Sequence, residues 1–309
     1  MNLSPKNTYK EARMASIEVL FHFFKAVPSS YYVETEEKNL DGTVTITKNE
    51  IQTIRKELDR SVTGFDYIEI TGMYLSAYDQ KIFRAIMQSV NKQKEELYES
   101  NMIEAKSLNE EYLPVRRELY SNQAQIGINE FYQIINPNTR PRASKEIYSK
   151  IINSLNRLAH VTLSLYTKDK RNIITAPLLI FLSVDNRLNL QLNPALLSYQ
   201  YESKNQHIIK PKQSYYILNN SEYYDLGSDL QRLLYSKIQY RFASMPQSHK
   251  ECRFEFDEIL SQLFVKTESK KSKYNQSAKL KRTIAELNNH SSYTLTIEGS
   301  KTLYIVVNR

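Results

Sequence analysis

A chain of 309 residues, 41% hydrophobic and 25% charged, is long enough for two domains that each bury a core. Its net charge of +8 is uneven: Met1–Pro137 holds 16 basic and 20 acidic residues, whereas Asn138–Arg309 holds 26 basic and 14 acidic, which favours a polyanion as partner of the C-terminal half. Cys252 is the only cysteine, excluding intrachain disulfides and cysteine-rich zinc sites, and no apolar run approaches a membrane span.

Near the N-terminus, Ile17–Phe24 is apolar but interrupted by Glu18 and His22. No small-residue cleavage site follows, so a core or docking helix is expected there and the protein is expected in the cytoplasm, with no membrane association. Short strands are expected at Thr43–Thr47 and Phe65–Ile70. Ser76–Lys92 reads as an amphipathic helix through Ile82, Ile86 and Val90, with Ser76 and Asp79 favouring its start. The highly charged stretch from Lys92 to Ser121 reads as a solvated, broadly helical connection.

From Ile128 a pattern begins. "INEFYQII" (Ile128–Ile135) is a short helix by its spacing of Ile128, Phe131 and Ile135, and the two prolines of "NPNTRPR" make the next segment a turn. "SKEIYSKIINSLNRL" (Ser144–Leu158) is a longer helix, N-capped by Ser144, with Ile147, Ile151, Leu155 and Leu158 inward. "VTLSLY" and "IITAPLLIFL", joined by "TKDKRN", are expected to form a hairpin. "LNLQLNPALLSYQ" then starts as a strand and ends as a short helix near Pro194, and Glu202–Lys212 is the expected domain boundary.

The same grammar returns after a helix at Ser228–Phe242. "FDEILSQLF" (Phe256–Phe264) is the first helix and the basic run from Lys266 supplies the turn. "QSAKLKRTIAELNNH" is the longer helix, with Leu280, Ile284 and Leu287 inward. "YTLTI" and "KTLYIVV" pair across Glu298-Gly299-Ser300, where Gly299 can adopt positive φ. Leu155-Asn156 and Thr162-Leu163 match Leu287-Asn288 and Thr294-Leu295 at one offset of 132 residues. Helix, turn, helix and two-stranded wing, twice over, predict an α+β fold of tandem winged helix-turn-helix domains. The N-terminal domain is expected over residues 1–201 and the C-terminal one over residues 211–309.

With Leu280, Ile284 and Leu287 inward, Asn275, Ala278, Lys279 and Arg282 face outward and Lys281 lies on the flank. The matching face of the first copy carries Lys145, Ser149, Asn153 and Asn156, preceded by Arg140 and Arg142. Polar and basic side chains on these faces suit base edges and phosphates, the second copy more strongly than the first.

Enzymatic chemistry has little foothold. The six glycines form neither a GxGxxG nor a phosphate-cradling loop. The five histidines never lie within four residues of one another, which removes the paired-histidine metal motif of a rolling-circle nickase. No catalytic residue, metal or cofactor is expected.

The order of segments, from "YDQKIFRAIM" through "SLNRLAHVTLSLYTKDKRNIITAPLLIFLSVDNRLNLQLNP" to "SDLQRLLYSKI" and "AKLKRTIAELN…YTLTI", resembles the IncQ-type, RepC-like plasmid replication initiators. These belong to the wider class of iteron-binding initiators with two winged-helix domains. The resemblance runs from about Phe65 to the C-terminus, and the charged segment Lys92–Ser121 departs from it. It implies binding to tandem iterons in double-stranded origin DNA, melting of adjacent AT-rich duplex and recruitment of the replicative helicase, with no catalytic step. Carried over by motif, Asn275–Arg282, including Gln276, is the main recognition helix, with Lys270, Lys271 and Lys273 beside it. Arg140–Ser149 is the secondary one, and Lys168, Lys170 and Arg171 touch DNA from the first wing tip. Ile17–Phe24 is the candidate surface for a homodimer or the helicase. A winged-helix transcriptional repressor is the competing reading. It is less favoured because such proteins usually pair one DNA-binding domain with a ligand or dimer domain, whereas here the reader is repeated.

Overall fold

A computed structural model describes residues 20, 22–27, 35–38, 44–47, 51–58, 60, 65–107, 113–114, 122–139, 142–171, 173–193, 200–204, 207–212, 220–245, 248–265 and 269–309. The chain is a mixture of α-helices and antiparallel sheets. In order come strands β1 (Thr35–Lys38), β2 (Val44–Thr47), β3 (Gln52–Glu57) and β4 (Tyr67–Gly72), helix α1 (Ala77–Ser107), β5 (Leu113–Pro114) and β6 (Gln123–Gly127). Helices α2 (Ile128–Ile135) and α3 (Lys145–Ala159) lead into β7 (Thr162–Tyr166), β8 (Ile173–Pro177), β9 (Leu179–Val184) and β10 (Arg187–Leu192). After β11 (Gln200–Lys204) and β12 (His207–Lys212) follow α4 (Asn220–Asp225), α5 (Asp229–Ser244), β13 (Glu251–Glu255), α6 (Phe256–Leu263), α7 (Lys270–Leu287), β14 (Thr294–Glu298) and β15 (Tyr304–Asn308).

Two compact units form. One contains Glu57–Ile68 and Ile82–Ile217, and the other contains Glu69–Lys81, Leu218–Arg309 and the described part of Glu18–Lys56. The second unit therefore draws on the N-terminal part of the chain as well as on the C-terminal part. Glu202–Lys212, expected as a boundary, lies largely in the paired strands β11 and β12.

Helix α1 is one continuous helix that runs past the expected Lys92 end to Ser107, its residues through Lys81 belonging to the second unit and those from Ile82 to the first. Ser76 starts it: the Asp79 N–H donates to Ser76 Oγ at 3.2 Å, and the Ser76 N–H donates to Asp79 Oδ2 at 2.8 Å, a reciprocal cap of the kind that satisfies the first free N–H groups. Ile82, Phe83, Ile86 and Val90 are buried. Further along, the Gln93 amide bonds both main-chain groups of Gln125, as acceptor from its N–H at 3.0 Å and as donor to its carbonyl, which holds β6 against the helix.

From β6 onward the chain runs strand, helix, helix. Ile128, Phe131 and Ile135 of α2 and Ile151, Leu155 and Leu158 of α3 are buried. Ser144 caps α3 by accepting from the Ile147 N–H at 3.3 Å. The sheet that β6 joins has the order β6-β10-β9, with Leu188 opposite Ile126 and Leu190 opposite Ala124. The β9–β10 connection is the two-residue turn Asp185-Asn186, both residues at positive φ (49° and 60°), the backbone that two-residue hairpins require.

This hairpin corrects the sequence reading, which put the first copy's wing at "VTLSLY" and "IITAPLLIFL". That second run is two strands, and β7 pairs with β8 in a separate sheet of order β3-β4-β7-β8. The break falls at Leu178, whose N–H donates to the Val161 carbonyl at 2.7 Å and whose carbonyl accepts from the Asn193 N–H at 3.0 Å. Asn193 Nδ2 donates to the carbonyls of Ala176 and Pro177, both at 3.1 Å. Pro177 ends β8 at the limit of its ladder, opposite Thr162, where a residue without an N–H is tolerated.

The second unit repeats strand, helix, helix and hairpin. Its sheet has the order β13-β15-β14, the counterpart of β6-β10-β9. Phe256, Ile259 and Leu263 of α6 and Leu280, Ile284 and Leu287 of α7 are buried. The inward residues of the two units correspond at 128 residues in the first helix and 129 in the second, so Leu155 matches Ile284 and the expected offset of 132 is not the structural one. The inserted β7–β8 hairpin breaks any constant spacing beyond that point.

Ser228 starts α5 with a capping box: the Gln231 N–H donates to Ser228 Oγ at 3.3 Å and the Ser228 N–H to Gln231 Oε1 at 3.0 Å. Gln231 Nε2 also reaches Glu286 on α7 at 3.1 Å. Gly299, at φ 106°, opens the loop of residues 299–303 between β14 and β15. A Cβ there would lie 2.0 Å from the Thr302 carbonyl oxygen.

Leu20, Phe23 and Phe24 are fully buried in the second unit. The Lys25 N–H donates to the Leu75 carbonyl at 2.8 Å and the Ala26 N–H to the Leu263 carbonyl at 2.7 Å. These apolar side chains are core, so they do not form the exposed docking surface expected from Ile17–Phe24. Residues 17–19 and 21 lie outside the described residues. Among the described residues, no helix is long and apolar enough to cross a membrane.

Candidate nucleic-acid interface

Helix α7 begins at Lys270, earlier than the sequence suggested, so Lys270, Lys271 and Lys273 belong to its first turn and not to a loop. Ser269 caps it, accepting from the Ser272 N–H at 3.4 Å. Residues 266–268 lie outside the described residues. Lysines at a helix N-terminus oppose the partial positive charge of the aligned peptide dipoles, a cost of roughly 0.3–1 kcal/mol each at the surface. No acidic residue in that turn offsets them. An anion brought to this end would meet both the dipole and the lysines.

With Leu280, Thr283, Ile284 and Leu287 buried, Lys270, Lys271, Lys273, Tyr274, Asn275, Ala278, Lys279, Lys281 and Arg282 are all exposed. Three side chains have partners that shape the surface. Arg282 Nε lies 3.6 Å from Glu286 Oε1, an exposed pair of adjacent turns that contributes at most a few tenths of a kcal/mol and leaves the guanidinium open to another anion. Lys281 Nζ leans back over the Phe256 ring, 5.9 Å from its centroid. Gln276, expected on the reading face, is half-buried and its Nε2 donates to the Val265 carbonyl at 3.4 Å, so it braces the loop before the helix.

The first unit offers a weaker counterpart. Lys145, Ser149, Asn153 and Asn156 are exposed on α3 and Arg142 just before it, while Arg140 lies outside the described residues. Glu146 binds Lys150 at 2.8 Å, and that lysine holds the Glu146 carboxyl below its ordinary range, through the hydrogen bond first and the charge second. Ser149 Oγ donates to the Lys145 carbonyl at 3.1 Å. Here Glu146 stands in the first turn and Arg157 in the last, both matched to the helix dipole.

Lys168, Lys170 and Arg171 are exposed at the β7–β8 turn. Thr167 and Asp169 shape it: Thr167 Oγ1 and the Arg171 N–H both donate to Asp169 Oδ1, and Lys170 takes positive φ. The Lys168 N–H donates to Asp66 Oδ2 at 2.8 Å. This turn does not close the hairpin of the β6 sheet; the β9–β10 turn does, with Arg187 exposed beside it. Sequence reasoning passed over Arg187 and the exposed Lys301 in the corresponding second-unit loop. Asp185-Asn186 between two alternating apolar runs was the signal for the former.

No known family model matches this chain, and no curated protein matches it. Among solved structures, it is similar to the selenomethionine derivative of domains 2 and 3 of RctB, with a TM-score of 0.48 at 12% identity over 100% of this chain and 99% of that one. A second structure of RctB domains 2–3 gives 0.42 at 10% identity over 85% of this chain and 92% of that one.

Proposed function

We propose that this chain is a plasmid replication initiator that binds iteron repeats in double-stranded origin DNA, promotes local duplex opening and recruits the replicative helicase. In this reading the two strand–helix–helix–hairpin units are tandem winged helix-turn-helix domains, and the chain performs no catalysis and needs no cofactor. The observation that carries the reading is α7, which buries Leu280, Ile284 and Leu287 and turns Lys271, Asn275, Lys279 and Arg282 outward on one continuous helix. A recognition helix presents that kind of face to the major groove, Asn suiting adenine and Arg or Lys suiting guanine and phosphate. Repetition of the unit favours initiation over repression, because two readers on one chain match a long or repeated site.

Footprinting the purified chain on the non-coding DNA of its own plasmid tests this. Regularly repeated protected sites are expected. A single protected operator would assign the chain to repression instead, and no protection at low salt would remove DNA binding altogether.

A further inference from the structure

One side chain on α7 does not fit a purely electrostatic surface. Tyr274 is 75% exposed, and among the described residues no ring stacks on it and no hydrogen bond holds it. It lies in the first half of the helix, between Lys271 and Ala278 along the outward stripe, since positions three and four apart share a face. Ala278 is also exposed, and its short side chain lets an opposing surface approach the helix backbone. The stripe is therefore an apolar patch set within cations: Lys271 one turn before, Asn275 beside it, Lys279 and Arg282 beyond.

That combination has a specific match on the floor of a major groove. Phosphates flank the groove and suit the lysines, and the one apolar group that base pairs display there is the thymine 5-methyl. Tyr274 and Ala278 are about 6 Å apart along the helix axis, close to two base-pair steps of about 3.4 Å. Asn275 stands where it can take the adenine that pairs with a contacted thymine, through its N6 and N7 edge. Charge complementarity selects this occupant over an apolar protein knob, because α7 carries six lysines and arginines against the single carboxylate of Glu286.

Resting on the DNA-binding reading above, we infer that Tyr274 and Ala278 form a thymine-methyl reader, so that the C-terminal unit selects T·A pairs by apolar contact as well as by hydrogen bonds.

The test uses the full chain. Bound duplexes are selected from a random library, the enriched site is remade with deoxyuridine at each thymine in turn, and affinities are compared. Losing one contacted methyl should weaken binding about four-fold, the equivalent of about 0.8 kcal/mol. The thymine-to-uracil ratio should fall to about one at one position in Tyr274→Ala and be kept in Tyr274→Phe, which retains the ring. Equal binding of thymine and uracil sites by the unsubstituted chain, or an enriched site without thymine, would overturn the inference while leaving DNA binding intact. A selection that enriches no DNA would overturn both, and would point to a protein as the occupant of this face.

Discussion

Lys25 is a cation placed where water is scarce. It is buried, its Nζ donates to the Ser261 carbonyl at 2.9 Å, and it sits 5.2 Å from the centroid of the Tyr74 ring. Burial lowers its pKa from 10.5 to about 8, because the charged form loses more solvation than the carbonyl and the ring return. Below about pH 8 folded and unfolded chains both hold the proton, and the full cost of the buried charge is present. Between about 8 and 10.5 the unfolded chain holds a proton that the folded chain has released, so rising pH stabilises the fold through this residue. Stability of the unsubstituted chain relative to Lys25→Met should therefore rise by on the order of 1–3 kcal/mol across that window, read from urea melts of both proteins near pH 7 and pH 10. A constant difference would mean that the lysine is solvated.

The two second helices of the units share a fold position and differ in their electrostatics. Helix α3 has Glu146 in its first turn and Arg157 in its last, which match its dipole, whereas α7 begins with lysines and no carboxylate, so an anion there meets unopposed positive charge. This difference predicts that Lys279→Ala with Arg282→Ala weakens binding to the selected DNA site at least ten-fold, while Arg142→Ala with Lys145→Ala weakens it only a few-fold, in titrations at one fixed salt concentration. All four side chains are exposed, so melting temperatures should stay within a few degrees, and equal losses from both pairs would remove the ranking. Both inward stripes were legible in the sequence because a helix writes its buried face at a period near 3.6. The hairpins were less so. "IITAPLLIFL" reads as one apolar strand, and its division at Leu178 depends on Asn193, a polar residue many positions away whose two amide bonds no local pattern announces. The start of α7 was missed because lysine-rich sequence resembles a solvated loop, although Ser269 is a capping signal. Tyr274 was invisible as a reader because an aromatic at an arbitrary helix position is usually core, and only its exposure distinguishes it.

At the scale of the whole molecule, the basic C-terminal half is not a self-contained piece. Residues 211–309, expected as the C-terminal domain, lack part of the core of the second unit. Leu20, Phe23, Phe24, Ile70 and Leu75 are each fully buried there. Gln80 Oε1 accepts from Tyr223 Oη at 3.3 Å and from Ser236 Oγ at 3.0 Å, so its removal would leave two buried hydroxyls without that acceptor. Full burial of a large apolar side chain is worth about 1.5–3 kcal/mol, and five of them together approach the about 5–15 kcal/mol that holds a typical protein folded. The isolated fragment Pro211–Arg309 is thus expected to lack cooperative unfolding and to bind the selected DNA site far more weakly than the full chain. A single chain joining residues 18–81 to residues 218–309 through a flexible linker should regain a sharp melt, and with it DNA binding that the Lys279→Ala, Arg282→Ala pair abolishes. Thermal melts followed by circular dichroism separate the cases: a sharp transition in Pro211–Arg309 alone would show that the N-terminal side chains are dispensable to this core, whereas recovery only in the joined chain would make them part of the domain that reads DNA.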